Sequence, residues 1–302
     1  MSAAGVIALG TALLVDRCFG EPPLRLHPVA AMGRYLGALG PRLASMKPAA
    51  AFIGGAIAWS LGALAAAALG IALEHAARQM PAALAGLALG LLLKPLLAWR
   101  MLRDEVAAVE LALGTSLEAA RAQLKRLVSR DVDTLDAEQV RESAIETLAE
   151  NLNDSVVAPL FWFALGGLGA AALYRFANTA DAMWGYRGRY EWAGKWAARA
   201  DDVLSWLPAR LTALLLCVAA ARWPGLRVMR REARATPSPN GGWPMGAMAL
   251  LLQVRLRKPG VYELNAGGLV PRPADARLAL AWSQHAVWCA AAAGAALCLA
   301  TP

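Results

Sequence analysis

Long apolar stretches separated by polar segments dominate the chain. Five of them approach or exceed the roughly 20 residues that an α-helix needs to cross the hydrocarbon core of a bilayer. A sixth apolar stretch, residues 3–15, is shorter and has neither a basic leader nor a clear cleavage site, so we interpret it as a retained helix. The five long stretches are residues 49–73, 81–99, 155–174, 203–221 and 278–300.

The polar segment at about residues 100–154 has the spacing of surface helices instead. Residues 100–113 and 116–128 read as amphipathic helices, with Ser116 as the N-cap of the second. Thr134 or Asp136 could cap a third helix, and no run alternates in the manner of a strand. We therefore predict an all-α, polytopic integral membrane protein with about five to six membrane-embedded helices. It forms a single membrane domain over residues 1–302, with a helical cytoplasmic insertion at about 100–154.

Composition supports a membrane protein, although a soluble protein with buried helices is the alternative. The 302 residues are 58% hydrophobic and only 17% charged, whereas about 25% of a soluble domain is charged. The four cysteines form no CxxC pair and the three histidines are scattered, which argues against a disulfide framework and a histidine metal centre. The net charge of +8 comes without a nucleic-acid-binding motif, so anionic lipid or phosphate is the expected partner and nucleic acid is not.

The distribution of basic residues predicts a topology with one conflict. Segments 16–48, 100–154 and 222–277 are rich in Lys and Arg, and the positive-inside rule places them in the cytoplasm. Simple alternation of spans would put residues 175–202 outside, yet this segment is also basic. The glycines at 166–169 interrupt the preceding apolar stretch, which favours a broken or re-entrant helix there.

A row of acidic side chains is the most distinctive polar pattern. At 3.6 residues per turn, a four-residue spacing keeps its members on one slowly drifting helix face. Like charges at this spacing destabilise a helix by roughly 0.2–0.5 kcal/mol per pair, so the row predicts a bound cation, and oxygen ligands suit Mg²⁺. A solvated helix face is the alternative. The row consists of Glu138, Glu142, Glu146, Glu150, Asn153 and Asp154.

Three further groups of polar residues adjoin apolar stretches. Asn178 and Asp181 share a helix face after Arg175, although helix capping would also explain them. The adjacent acids Asp201 and Asp202 indicate a metal site or a buried ion pair, with Arg210 as a possible internal partner. The loop that contains Asp16 and His27 forms the third group, for which a rigid loop with a capping aspartate is the alternative.

These motifs, in this order, resemble a known family. Residues 16–33, D-R-C-F-G-E-P-P-L-R-L-H-P-V-A-A-M-G, are similar to the N-terminal D-x3-G-[DE]-P-x4-H-P-V pattern of the adenosylcobinamide-phosphate synthases, membrane proteins of CbiB/CobD type. The chain departs from the family pattern at Ser155, at Met245 and over residues 257–268. Further matches are S-R-D-V-D-T-L-D at 129–136, E-T-L-A-E-N-L-N-D-S-V-V-A-P-L-F at 146–161, Y-R-F-A-N-T-A-D-A-M-W-G-Y at 174–186, A-A-R-A-D-D-V-L-S-W-L-P-A-R-L at 197–211 and P-S-P-N-G-G-W-P at 237–244.

The resemblance implies an ATP-dependent C–N ligase of cobalamin biosynthesis. Such an enzyme joins (R)-1-amino-2-propanol or its phosphate to the free carboxylate of adenosylcobyric acid, giving adenosylcobinamide or its phosphate. ATP and Mg²⁺ are the expected cofactors, and an acyl phosphate is the expected intermediate. The implied location is the inner cell membrane, in a multi-pass arrangement. Besides the corrinoid, the aminopropanol compound and the lipid bilayer, the expected partners are further copies of the chain or other cobalamin-assembly membrane proteins.

Within these motifs we assign candidate roles from residue chemistry. We expect the acidic row, the N-T-A-D segment and the A-D-D segment to form the walls of one shared site. Within the row, Glu138 and Glu142 are interpreted as solvated face. The catalytic candidates are Glu146, Glu150, Asp154, Asp201 and Asp202; the cofactor-binding candidates are Arg130, Arg175, Arg187, Asn151 and Asn178; the metal candidates are Glu150, Asp154 and Asp181.

Two other functions fit parts of the pattern. A membrane prenyltransferase could use the N-x-x-D and D-D motifs to hold Mg²⁺ and a diphosphate. A non-catalytic sensor or assembly component would be favoured by the altered segment 245–268.

Overall fold

A computed structural model describes residues 3–186 and 188–300 of the chain. Helices account for most of this structure. A short 3₁₀ turn spans Lys94–Leu96, and a π-helical segment spans Asn153–Val157. The helices are α1 (Ala3–Phe19), α2 (Pro28–Ala44), α3 (Pro48–Arg78), α4 (Ala82–Leu93), α5 (Trp99–Leu113), α6 (Leu117–Leu124), α7 (Ala137–Leu152), α8 (Ala158–Trp184), α9 (Lys195–Leu204), α10 (Trp206–Ala219), α11 (Leu226–Ala233), α12 (Gly242–Leu252) and α13 (Pro273–Ala300); the strands are β1 (Leu256–Lys258) and β2 (Tyr262–Leu264).

Several helical runs are long and apolar enough to cross a membrane. In the described part of the chain there are four, and a fifth if α9 and α10 together form one span. Each contains or overlaps a stretch that the sequence predicts to be embedded, which confirms an all-α polytopic membrane protein. The four runs are Pro48–Arg78, Ala82–Leu113, Ala137–Trp184 and Pro273–Ala300.

The chain packs as two compact units. Unit 1 contains the described residues within 1–98, 158–205 and 291–302, and unit 2 contains residues 99–157 and 206–290. The helical insertion predicted at about 100–154 thus forms part of unit 2. The single membrane domain stays a prediction.

In unit 1, α1 packs closely on α4 through two glycines one helical turn apart. A Cβ atom at Gly86 would lie 2.9 Å from the carbonyl oxygen of Ala4. A Cβ at Gly90 would lie 2.7 Å from the carbonyl oxygen of Ala8 and 2.5 Å from Cβ of Thr11. This is the small-xxx-small arrangement that lets two apolar helices approach within contact of their backbones.

We expect Gly90→Ala to separate α1 from α4 and to lower the unfolding free energy by about 1–3 kcal/mol, because a backbone carbonyl cannot yield to the new methyl group. Thermal unfolding of the purified chain in detergent measures the change. Gly10→Ala is the matched control, since a Cβ at Gly10 has no neighbour within 4 Å. Equal melting temperatures for Gly90→Ala and Gly10→Ala would contradict close packing of these helices.

The apolar core of unit 1 also joins α2, α3, α8 and α9. Phe176 and Trp184 of α8 are almost fully buried in it. The Phe176 ring lies 6.1 Å from the Tyr35 ring and 6.4 Å from the Trp59 ring, between centroids. The Tyr35 hydroxyl donates a hydrogen bond to the carbonyl oxygen of Ala58, at 2.8 Å. These contacts hold α8 in place along much of its second half.

Helix α8 is broken at the glycines, as the sequence predicts. Gly166 is non-helical, and Gly167 has a φ of +71°, a conformation that favours glycine. The N–H of Leu168, which starts the second half, donates to Oε2 of Glu74 on α3 at 2.7 Å. Arg78 holds the other oxygen of the same carboxylate through two nitrogens, at 2.9 and 2.6 Å. A charged pair on α3 therefore satisfies a backbone donor that the break exposes.

Unit 2 confirms the local signals of the 100–154 segment. Ser116 caps α6 by accepting from the N–H of Ala119, at 3.1 Å. Asp136 caps α7 in a capping box with Gln139.

A two-stranded hairpin in unit 2 was not predicted. Strands β1 and β2 pair antiparallel, with three residues each, around a turn that contains Gly260 at a φ of +71°. Three residues are too few for an alternating pattern to stand out in a sequence.

Candidate functional site

The acidic face of α7 is buried in unit 2. Glu142 and Glu146 are 0% and 1% exposed, whereas Glu138 is exposed. The interpretation of Glu142 as solvated face was therefore wrong. Buried carboxylates require partners, because removing a charge from water without compensation is costly. The solvated-face alternative holds only for Glu138, at the start of the row.

Arg130 is the partner of Glu146. Its Nη2 atom lies 2.8 Å from Oε2 of Glu146, and its side chain is only 19% exposed. Nη1 of Arg130 and Oε1 of Glu146 are both buried, and neither makes a hydrogen bond of normal geometry within the described residues. The pair thus keeps the Nη1 donor of Arg130 available, as expected at a site for an anionic ligand, while the Tyr262 hydroxyl lies beside the Glu146 carboxylate.

Glu150 lies one turn further along the same face. It is partly buried and within electrostatic range of Glu146, Asp154, Arg130 and Lys258. These five groups form the acidic cluster of unit 2, with three carboxylates and two cations.

Asp154 belongs to the π-helical segment that follows α7. The amide of Asn153 donates to Oδ1 of Asp154 at 2.8 Å, and Asn153 in turn accepts from the hydroxyl of Thr212 at 3.1 Å. Irregular π turns within helices are frequent at functional sites because they redirect side chains. Asn151 lies just before this segment, and its amide donates to the carbonyl oxygen of Thr147 at 3.1 Å. One donor of this predicted cofactor-binding residue is therefore used within the helix.

The loop at residues 236–241 lies against Glu150. A Cβ atom at Gly241 would be 3.1 Å from Oε1 of Glu150, so glycine leaves room beside the carboxylate. Asn240 of the same loop accepts from Arg210 at 3.0 Å. The Arg210 guanidinium lies over the rings of Trp206 and Trp243, at 4.3 and 4.9 Å from their centroids. The P-S-P-N-G-G-W-P motif thus forms one side of the acidic cluster, a position that its sequence alone does not reveal.

The cluster offers oxygen ligands of the kind that Mg²⁺ prefers. Within residues 3–186 and 188–300, no group of three or more His, Cys, Asp or Glu side chains is placed to hold a metal ion by itself. A Mg²⁺ ion that serves a nucleotide usually takes one or two carboxylates, and it completes its shell with waters and phosphate oxygens. Glu146, Glu150 and Asp154 supply carboxylates of this kind, and their assignment to Mg²⁺ stays a prediction.

The predicted residues on α8 lie in unit 1. Nη1 of Arg175 is 3.4 Å from Oδ1 of Asn178, and the carbonyl oxygen of Arg175 accepts from the hydroxyl of Thr179 at 2.7 Å. Asp181 is partly buried and packs against Gly185, where a Cβ would collide with its carboxylate. Arg187, a predicted phosphate ligand, lies outside the described residues.

Asp201 and Asp202 also lie in unit 1, on α9. Oδ2 of Asp201 is 3.5 Å from the hydroxyl of Ser205, which is 3.2 Å from the hydroxyl of Tyr174. Asp202 pairs with Arg199 at 3.6 Å. Arg210 hydrogen-bonds to Asn240, and its pairing with Asp202 stays a prediction. The candidate residues thus divide between the two units, and the shared site stays a prediction.

Unit 1 contains a buried charge network that the sequence analysis missed. Nζ of Lys94 is 2.9 Å from Oε1 of Glu21 and 3.3 Å from Oδ1 of Asp16. The other oxygen of Glu21 lies 2.9 Å from Nε2 of His27, whose Nδ1 caps α2. Lys94 and Asp16 are 3% and 1% exposed. A lysine alone within an apolar stretch was the available signal, because such a charge needs an acidic partner.

Comparison with known proteins adds to this geometry. Residues 9–285 match the family described as CobD/Cbib protein. A relative in Pyrococcus abyssi, named probable cobalamin biosynthesis protein CobD, is 41% identical over 276 residues, which cover 91% of this chain and 90% of the relative. A relative in Brucella suis, named cobalamin biosynthesis protein CobD, is 38% identical over 305 aligned residues, or 92% and 93% of the two chains. No solved structure matches the chain significantly.

The match extends over nearly all of the residues that build the two units, including α7, the loop at 236–241 and the Lys94 network. By the extent of this match, the chain belongs to the CobD/CbiB family of cobalamin biosynthesis proteins.

Proposed function

We propose that this protein is an adenosylcobinamide-phosphate synthase, an ATP-dependent amide ligase of cobalamin biosynthesis. It would join (R)-1-amino-2-propanol or its phosphate to the free carboxylate of adenosylcobyric acid. The observation that carries the proposal is the ion pair of Arg130 with the buried Glu146, which keeps the Nη1 donor of Arg130 available beside Glu150. Family membership supports the same pathway.

The first step would activate the corrinoid carboxylate. A carboxylate oxygen attacks the γ-phosphorus of ATP, the bond to the β–γ bridging oxygen breaks, and ADP leaves, which gives an acyl phosphate. Arg130, oriented by Glu146, would donate its second Nη group to a phosphoryl oxygen as negative charge develops there. Bound Mg²⁺, held by Glu150 with Asp154 or Glu146, would offset the charge of the nucleotide phosphates.

The second step would form the amide. The amine nitrogen attacks the carbonyl carbon of the acyl phosphate, and inorganic phosphate leaves. The amine must first lose a proton from its ammonium form, which requires a base. Asp201 or Asp202 is our candidate for holding the ammonium group or accepting that proton. Arg175 and Asn178 are candidates for binding the phosphate groups, and Asp181 is a candidate metal ligand.

We also propose that the protein lies in the inner cell membrane, with its basic segments 100–154 and 222–277 in the cytoplasm. A cytoplasmic acidic cluster would have direct access to ATP. The lipid bilayer is then a partner along the apolar helices, and further copies of the chain or other cobalamin-assembly membrane proteins remain candidate partners.

Product analysis with the purified chain in detergent tests the proposal. With adenosylcobyric acid, ATP, Mg²⁺ and either aminopropanol or its phosphate, we expect one ADP for each corrinoid amide, detected by mass spectrometry. Comparing the two amines identifies the substrate. Release of diphosphate from a prenyl donor would instead favour the prenyltransferase alternative, and absence of any product with a folded chain would favour a non-catalytic role.

A further inference from the structure

The hairpin of β1 and β2 is fixed to α7 by a fully buried carboxylate. Glu142 accepts from the backbone N–H of Arg257 at 3.1 Å and lies 3.0 Å from the Arg257 Nε atom. Arg255 approaches the same carboxylate at 3.7 Å. The hydrogen bond to Glu142 and the negative charge of Glu142 together raise the pKa of the Arg257 guanidinium. The side chains of Arg255 and Arg257 and the backbone N–H of Arg257 therefore attach β1 to Glu142 of α7.

A second carboxylate holds the other end of the hairpin. Glu232, buried on α11, accepts from the backbone N–H of Asn265 at 2.7 Å. The Asn265 side chain donates to the carbonyl oxygens of Val254 and Ala249, at 3.0 and 3.3 Å. The segment at residues 254–265 is therefore a fixed part of unit 2.

This attachment directs one cross-strand pair towards the acidic cluster. Lys258 and Tyr262 stand directly opposite each other in the strand register, so their side chains share a face of the hairpin. Lys258 interacts electrostatically with Glu150. Tyr262 lies beside Glu146 and Glu150, and its hydroxyl is 3.7 Å from the sulfur of Met245. Burial raises the pKa of the Tyr262 phenol, and the charges of the two glutamates raise it further.

Lys258 makes the net charge of the acidic cluster more positive by one unit. When all five groups are ionised, Glu146, Glu150 and Asp154 contribute −3 and Arg130 and Lys258 contribute +2, so the net charge of the cluster is −1. One divalent cation would bring the total to +1. Without Lys258, the same ion would bring it only to zero. The lysine thus decides whether the metal-loaded cluster attracts an anion by its net charge.

We propose that Lys258 is a phosphate-binding residue and Tyr262 a positioning residue that acts through Glu146, so that the hairpin completes a phosphate site which forms only with a divalent cation. This inference rests on the proposed function for the identity of the phosphate compound, an adenine nucleotide. The ammonium group of Lys258 interacts electrostatically with Glu150 in the free protein and would bind a phosphoryl oxygen in the complex. Tyr262 keeps the Glu146 carboxylate oriented towards Arg130.

Two binding constants that should move in opposite directions test the role of Lys258. We measure binding of Mn²⁺ alone by electron paramagnetic resonance, and then binding of ATP at saturating Mg²⁺, with the full chain in detergent. Lys258→Met removes a positive charge, so Mn²⁺ should bind several-fold more tightly. ATP should bind about tenfold more weakly, as expected for loss of one charge-assisted hydrogen bond. Lys258→Arg keeps the charge and should leave both constants within about twofold of the unmodified chain.

Matched variants separate this role from general damage to the fold. Lys125→Met removes an exposed lysine at the end of α6 and should change neither constant. Tyr262→Phe should lower the kcat for corrinoid amide formation several-fold and leave the KM for ATP nearly unchanged. Unchanged constants for Lys258→Met, or parallel weakening of Mn²⁺ and ATP, would overturn the proposal. A chain that shows the opposed shifts but makes no corrinoid amide would retain this site and refute the proposed function instead.

Discussion

Glu150→Gln is expected to lower the rate of corrinoid amide formation by about 100-fold or more, as for loss of a group that acts on charge in the transition state. The change keeps the shape of the side chain but removes a negative charge from the centre of the acidic cluster. Steady-state measurement of ADP and of the corrinoid product checks the result. We expect Asp154→Asn to have a similar effect, because both residues are candidate ligands of the same Mg²⁺.

Glu138→Gln is the matched control for Glu150→Gln. Glu138 shares the four-residue spacing of the row, but it is exposed at the start of α7 and has no part in the cluster. Its replacement should leave the rate unchanged. If Glu150→Gln and Asp154→Asn both keep wild-type rates, the candidate site is wrong even though the family is right.

Lys94→Met is expected to lower the unfolding free energy by about 3–5 kcal/mol, the usual cost of breaking a buried ion pair by removal of one partner. The change leaves Glu21 and the deeply buried Asp16 without the ammonium group that lies between them. Unfolding of the purified chain in mixed micelles, followed by circular dichroism, measures the loss.

The double variant Lys94→Met with Asp16→Asn tests the cause of that loss. Neutralising Asp16 removes one of the two carboxylate charges that Lys94 balances, so the double variant should be more stable than Lys94→Met alone. Lys47→Met, at an exposed lysine before α3, should not change stability. A double variant that is less stable than Lys94→Met would show that charge balance does not explain the network.

Sequence reasoning succeeded where the signal is local. The length of an apolar stretch sets whether a helix can cross a bilayer, so the segments within α3 and α13 were predictable. Ser116 and Asp136 act within three residues of themselves, and the glycines at 166–169 break α8 where they stand. In each case the determining residues lie within one continuous segment of the chain.

Sequence reasoning failed where the partner is distant along the chain. Glu142 looked like a solvated residue because its partner Arg257 lies 115 positions away. Lys94 and Asp16 are far apart in sequence, and the contact of Gly241 with Glu150 joins a loop to a helix across some ninety positions. The hairpin was missed for a related reason, since its position depends on Glu142 and Glu232 and not on any propensity of its six strand residues.

The break in α8 has a consequence for the biosynthesis of the protein. Lipid offers no acceptor for the N–H of Leu168, and the acceptor that the folded chain supplies is on α3, 94 residues earlier. The ribosome therefore delivers Glu74 to the membrane well before the segment that depends on it. Until α8 is synthesised, the Glu74–Arg78 pair lacks the N–H of Leu168 as a partner. After synthesis, the second half of α8 is poorly suited to insert stably without α3. We therefore expect that stable insertion of α8 requires α3 to lie beside it when its second half enters the membrane.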